Sequence, residues 1–139
     1  MENLPYLYGQ LLKAADELHE LYCDVVRDGQ KPQELVGSSM FRSVSESPLR
    51  MLPVLSQRIM PYYAWAKVYR RKSDNENRKH AARAGWLYRV CEQITTRLWN
   101  SQTVPSRFND EEKAQLFIGY LASFSEKEMK LEEESNHES

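Results

Sequence analysis

The sequence predicts an all-α fold, and three observations carry that prediction. Apolar residues recur every three or four positions along four long stretches, the spacing that lines one face of a helix. Strand-like alternation of apolar and polar residues is absent. Only five glycines interrupt 139 residues, and eight tyrosines and three tryptophans supply large side chains for one core. The expected organisation is a helical bundle over residues 1–125, with about four main helices and a short linking helix. An acidic, disordered tail is expected over residues 126–139.

Tyr8, Leu11, Leu12, Ala15, Leu18, Leu21, Tyr22 and Val25 make a wide apolar stripe, which places the first helix over residues 4–28. Asp28-Gly29 ends it, with glycine suited to the left-handed position past a helix. Residues 30–39 read as a linker holding Pro32 and Gly37. A short helix starts near Ser38-Ser39-Met40 and is kept short by Ser45-Glu46-Ser47-Pro48.

The next stretch, residues 45–72, is the expected axis on which the other helices pack. Ser47-Pro48 is a helix start, because the proline ring fixes φ where the missing N–H has no partner anyway. Leu52, Leu55, Ile59, Tyr62, Ala66 and Tyr69 line one face. Arg70-Arg71-Lys72 places cations where the helix dipole favours them. Pro53 and Pro61 each remove a backbone donor and are expected to bend or split the rod.

A third long helix is expected over residues 75–100, with Ala84, Leu87, Val90, Cys91, Ile94 and Leu98 as its apolar face. A loop with Pro105 leads to Asn109, which can cap a fourth main helix, with Glu112 three residues on as in a capping box. Leu116, Phe117, Tyr120, Leu121 and Phe124 are its apolar positions.

Charge is segregated along the chain although the net is only −1. Residues 1–41 carry three cations against seven acids, a net of −4. Residues 42–107 carry thirteen against four, a net of +9, and residues 108–139 three against nine, a net of −6. A basic middle between acidic ends points to a polyanion or an acidic partner docking there; the plainer reading is a solvated helical surface. The candidate nucleic-acid-binding residues are Arg58, Arg70, Arg71, Lys72, Arg78, Lys79, Arg83, Arg89 and Arg97, on two consecutive helices. Arg78, Lys79, Arg83, Arg89 and Arg97 fall within about 140° of arc on their helix. An antiparallel pair is expected to join them to Arg70–Lys72 at one end and to Arg50 and Arg58 at the other, as one positive track. Such a track suits backbone phosphates rather than base edges.

Other chemistry finds little support. His19 and Cys23 are four apart, but no second pair stands at ligand spacing, and the pair reads as a surface histidine and a core thiol. No nucleophile elbow, Gly-rich phosphate loop or His-Glu-x-x-His occurs, so no catalytic residue, metal ligand or cofactor is assigned. Tyr62, Trp65, Trp86, Tyr88 and Trp99 can offer stacking faces to bases, although packing explains them better. Trp65 stands out because it lies off its helix's main stripe, near Arg58. Two cysteines without a framework spacing, no signal pattern and no bilayer-spanning run predict a reduced, cytosolic protein.

Three stretches together resemble the small subunit of CRISPR type I Cascade complexes, in particular type I-C, equivalent to the C-terminal helical domain of that system's large subunit. They are Tyr6-Leu7-Tyr8-Gly9-Gln10-Leu11-Leu12; Gly37-Ser38-Ser39 through Ser47-Pro48 to Leu52-Pro53-Val54-Leu55; and residues 108–120, ending Phe117-Ile118-Gly119-Tyr120. Gln10 stands where the family has arginine, and residues 62–99 carry no matching stretch, so the basic residues there rest on charge alone. The resemblance implies a non-catalytic helical bundle in an RNA-guided antiviral surveillance complex. The implied partners are the crRNA-bound backbone subunits, the large subunit, further copies of the chain, the target DNA and the displaced strand, with no membrane. The implied role is to stabilise the R-loop. The start at Met1, just before the first helix, fits a free-standing small subunit with no leader. The alternative is a helical protein-interaction module whose basic middle docks an acidic protein.

Overall fold

The computed structural model describes residues 3–72, 74, 76–101 and 103–124, and every regular element among them is a helix. α1 is Leu4–Val26, α2 Val36–Glu46, α3 Pro48–Tyr69, α4 Arg78–Asn100 and α5 Asp110–Leu121. This is the expected all-α bundle, with α2 as the linking helix. The tail expected at residues 126–139 lies outside the described residues.

The axis is α1 rather than α3. α1 packs against all four other helices, and fifteen of its 23 residues are buried. A helix apolar on nearly every side belongs inside. Its ends are defined locally: Asn3 Oδ1 accepts the Tyr6 N–H at 3.2 Å, and the chain leaves through Asp28 and Gly29 at φ 52° and 83°.

Glycines set how closely the helices approach α1. A Cβ on Gly9 would lie 2.1 Å from the Leu116 carbonyl oxygen, and one on Gly119 would lie 2.2 Å from that of Tyr6. The two notches face each other, so α1 and α5 cross backbone to backbone. Gly37 of α2 repeats the device against α1, where a Cβ would stand 2.1 Å from the Leu12 carbonyl oxygen.

Buried polar groups complete the crossing. Gln10 donates to the Gly119 carbonyl and, at 3.1 Å, to that of Ala122. The Tyr8 hydroxyl donates to the Pro48 carbonyl at 2.9 Å, with its ring edge-on to Phe108. α2 has no side-chain cap of its own. Asp16 and His19 of α1 supply it instead: Asp16 accepts the Ser38 N–H at 2.9 Å, and His19 Nδ1 accepts the Val36 N–H at 3.0 Å. This cap from a neighbouring helix lets α2 begin two residues before the expected Ser38 and run for 11 residues.

Three other helices depart from expectation in one respect each. Pro53 and Pro61 do not split α3, which is continuous. Both are exposed, as are Leu49 and Gln57, whose carbonyls lose their donors, so water can satisfy them. α4 starts at Arg78 rather than near residue 75, because Asn77 is held in the turn by the Tyr69 hydroxyl at 2.6 Å and by Asp74. α5 has the expected capping box, Glu112 N–H to Asn109 Oδ1 at 2.8 Å and Asn109 N–H to Glu112 Oε1 at 2.9 Å. However, it buries Leu116 and Gly119 and leaves Phe117, Ile118 and Leu121 outside at 53%, 48% and 61% exposure.

Candidate nucleic-acid interface

α4 packs on α1 and α3, burying Ala81, Ala84, Leu87, Tyr88, Val90, Cys91, Ile94 and Leu98. At 100° per residue the remaining arc of about 140° is bounded by cations on both sides. Arg78 and Arg89 stand on the edge toward α3; Lys79, Arg83 and Arg97 stand on the edge toward α1. Ala82, Gln93 and Asn100 lie between them. The one acid of α4, Glu92, falls outside this arc and lines a cleft with Ser56, Met60 and Tyr63 of α3. The outer face of α4 is therefore positive and free of its own carboxylates.

The antiparallel α3–α4 pair brings Arg70 to this face as expected. Its guanidinium lies 4.5 Å from the Tyr88 ring centroid, and its Nε donates to the Lys67 carbonyl at 3.1 Å. Gly85 makes the room: a Cβ there would meet the Arg70 Cβ at 3.4 Å and Arg89 Nη1 at 3.9 Å. Arg70 and Arg89 thus flank one small residue. Arg71 and Lys72 are exposed in the connection after α3.

Two of the nine candidates do not extend the track. Arg58 lies on the opposite flank of α3, where it and Arg27 both act on Tyr62, while α4 contacts the Ser56, Ile59 and Tyr63 side. The expected continuation from Arg97 to Arg58 is absent because the two residues leave different sides of the pair. Arg83 is turned toward α1, paired with Glu17 at 3.2 Å and lying 5.0 Å from the Trp86 ring. Burial raises the Glu17 pKa, with Arg83 and then Lys13 opposing. Arg83 is therefore partly offset by Glu17, although its side chain stays 46% exposed.

The aromatic candidates mostly pack. Trp65 stacks on Tyr69 and meets Tyr22 edge-on, which explains its place off the main stripe. Tyr62 stacks on His19, Tyr88 on Tyr63, and Trp86 meets Phe124. Trp99 alone of the three tryptophans is largely exposed, at 53%.

His19 corrects an expectation: it is buried at 9% exposure, not on the surface. Burial lowers its pKa, which keeps Nδ1 available as the acceptor for Val36. Asp16 and His19 act together as the cap of α2, a role the sequence analysis does not assign to them. Two polar residues three apart on a helix apolar on nearly every side were the available signal. Cys23 and Cys91 are buried free thiols, and burial pushes Cys91 up to about 12, so it is inert. Among the described residues no group of three His, Cys, Asp or Glu could hold a metal ion. None of the described helices is long and apolar enough to cross a membrane. The α3–α4 cleft holds about 160 Å³, below what ordinary small-molecule sites enclose. Comparison of the chain with models of known families, with curated proteins and with solved structures gave no match.

Proposed function

We propose that this chain is a non-catalytic subunit of an RNA-guided antiviral complex of the CRISPR Cascade kind, and that it holds DNA backbone on the outer face of α4. The observation that carries the reading is the acid-free cationic face itself, bordered by Arg70, Arg71 and Lys72. A helix of 23 residues is about 34 Å long, roughly the length of ten base pairs of duplex. Its cations are spread along that length with small or neutral residues between them, which suits phosphates on a passing strand. Exchange of a DNA duplex for an RNA–DNA hybrid is nearly balanced, so a few backbone contacts are enough to tip it. Sequence choice then belongs to base pairing and not to this chain.

The resemblance in residues 6–12, 37–55 and 108–120 supports the same reading from a separate direction. Those stretches supply the notches, caps and crossings of the bundle. The outward apolar side chains of α5, and Leu49, Met60 and Val68 of α3, offer faces for the neighbouring subunits such an assembly needs. They equally suit the second reading, a module that docks an acidic protein.

The test is reconstitution with a guide-RNA complex. Charge reversal at Arg70, Arg71, Arg78 and Lys79 is expected to weaken R-loop formation while the subunit still co-purifies with the complex. R-loop yield equal to wild type would contradict the proposal.

A further inference from the structure

The outer side of α3 differs in kind from that of α4. Leu49, Pro53, Met60, Ala64 and Val68 recur along it and are all exposed, Leu49, Met60 and Val68 at 52%, 54% and 68%. At 100° per residue they fall within about 100° of arc, in a stripe about 29 Å long. Val54 and Pro61, also exposed, widen it to about 140°. α3 contains no acid. Its cations are exposed: Arg50 and Lys67 near the two ends of the stripe, and Arg58 on its flank.

Beside Met60 the stripe opens into the α3–α4 cleft. Ile59 and Cys91, 5% and 1% exposed, give that cleft an apolar wall, and Tyr63 lines it too. Its 160 Å³ is about the space that takes one benzene-sized group, which suits a single side chain. Ser56 Oγ, in the same wall, is buried without a hydrogen-bond partner.

We infer that the outer side of α3 is a docking site for an amphipathic helix of a partner protein, one whose apolar face is bordered by Asp and Glu and which seats one apolar side chain in the α3–α4 cleft. This goes beyond the proposed nucleic-acid role and uses a different surface. Every regular element among the described residues is a helix, so no sheet edge is there for an extended segment to join. A straight apolar stripe with a pocket beside it is what a helix laid into a groove requires. Phosphates would find few partners, because Arg50 and Lys67 stand about 25 Å apart. A lipid surface is gripped by outward Trp, Phe and Leu. Here Trp65 stacks on Tyr69 and Tyr62 on His19. With only cations on α3, complementary charge sets the chemistry of the partner, and the seated side chain supplies the anchor.

The experiment uses the full-length chain and no nucleic acid, so its failure leaves the proposed function standing. The probe is a fluorescein-labelled, hydrocarbon-stapled helix of 18 residues, with leucine along one face and glutamate on both flanks. Its twin carries lysine at every glutamate position. Anisotropy in 50 mM salt is expected to show the acidic helix binding about tenfold or more tighter than its twin. Met60→Glu with Ala64→Glu is expected to weaken the acidic helix about tenfold or more, whereas Phe117→Glu on α5 leaves it unchanged. Arg50→Glu, Arg58→Glu and Lys67→Glu together are expected to invert the preference, which tests the site even where the first pair unfolds the chain. Equal binding of the two helices, binding of neither, or an equal loss from Phe117→Glu overturns the inference. No retention on phosphatidylserine vesicles is expected; retention that Met60→Glu abolishes would assign the stripe to a lipid surface and overturn it too.

Discussion

The α1–α5 crossing and the outer face of α4 are built by opposite means. At the crossing, side chains are removed: Gly9 and Gly119 let two backbones meet, and Asp16 and Gln10 bond groups from neighbouring helices. On α4, side chains are added: long cations border a face that no other described helix covers. The first arrangement tolerates almost no change in volume, and the second almost no change in sign. One small bundle can therefore hold a fixed shape while presenting a surface tuned only by charge.

The sharpest way to break this contrast is to put a methyl group into each region. Gly9→Ala gains up to about 1 kcal/mol of helix propensity but drives a Cβ to 2.1 Å from the Leu116 carbonyl oxygen. The clash wins, and a net loss of about 3 kcal/mol is expected, read as a thermal midpoint lower by about 10 °C or more in circular dichroism. Asp16→Ala comes next. It leaves the Ser38 N–H and the Tyr120 hydroxyl, now 2.9 and 2.5 Å from Asp16, without their acceptor, for a loss of about 2 kcal/mol in urea unfolding. Gly85→Ala, on the cationic side, meets Arg70 only at ordinary contact distance. The propensity gain then dominates, and stability is expected to rise by up to about 1 kcal/mol. A loss as large as that of Gly9→Ala would erase the distinction between the two regions.

Acidity sharpens the contrast further. The His19 pKa is lowered by burial from 6.5, so the folded state binds fewer protons at this site than the unfolded state. Its contribution is full above pH 6.5 and is lost as pH falls through that value toward the lowered one. The Glu17 pKa is raised from 4.5, so its contribution is present in acid and lost as pH rises through the raised value. Wild type is expected to have a lower urea midpoint at pH 5.5 than at pH 7.5, and His19→Gln to show a smaller difference. The smallest effect on stability is expected on α4 itself: reversing Lys79 or Arg78 should shift unfolding by no more than about 0.5 kcal/mol.

Much of this architecture was legible in residues that act locally. Asn109 with Glu112, Ser47 with Pro48, and Asp28 with Gly29 mark helix ends wherever they occur, and all three do so here. The features that escaped the sequence are those that depend on a neighbour. α2 begins where Asp16 and His19 of another helix provide acceptors. The inward side of α5 is chosen by Gly119, not by Phe117 or Leu121, which the apolar pattern alone put inside. The cationic arc of α4 could be read from 100° per residue. The pairing of Arg83 with Glu17 and the exile of Arg58 to the far flank of α3 required knowing which sides of the helices meet.

The most direct test of the central claim is the salt dependence of single-stranded DNA binding by the full chain. If the outer face of α4 takes up three to five phosphates, a plot of log K against log salt concentration should fall with a slope of about −2 to −3.5. Reversal of Arg78, Lys79 and Arg97 together should flatten it to near zero. A slope that is flat in wild type, or unchanged by that triple reversal, would contradict the account.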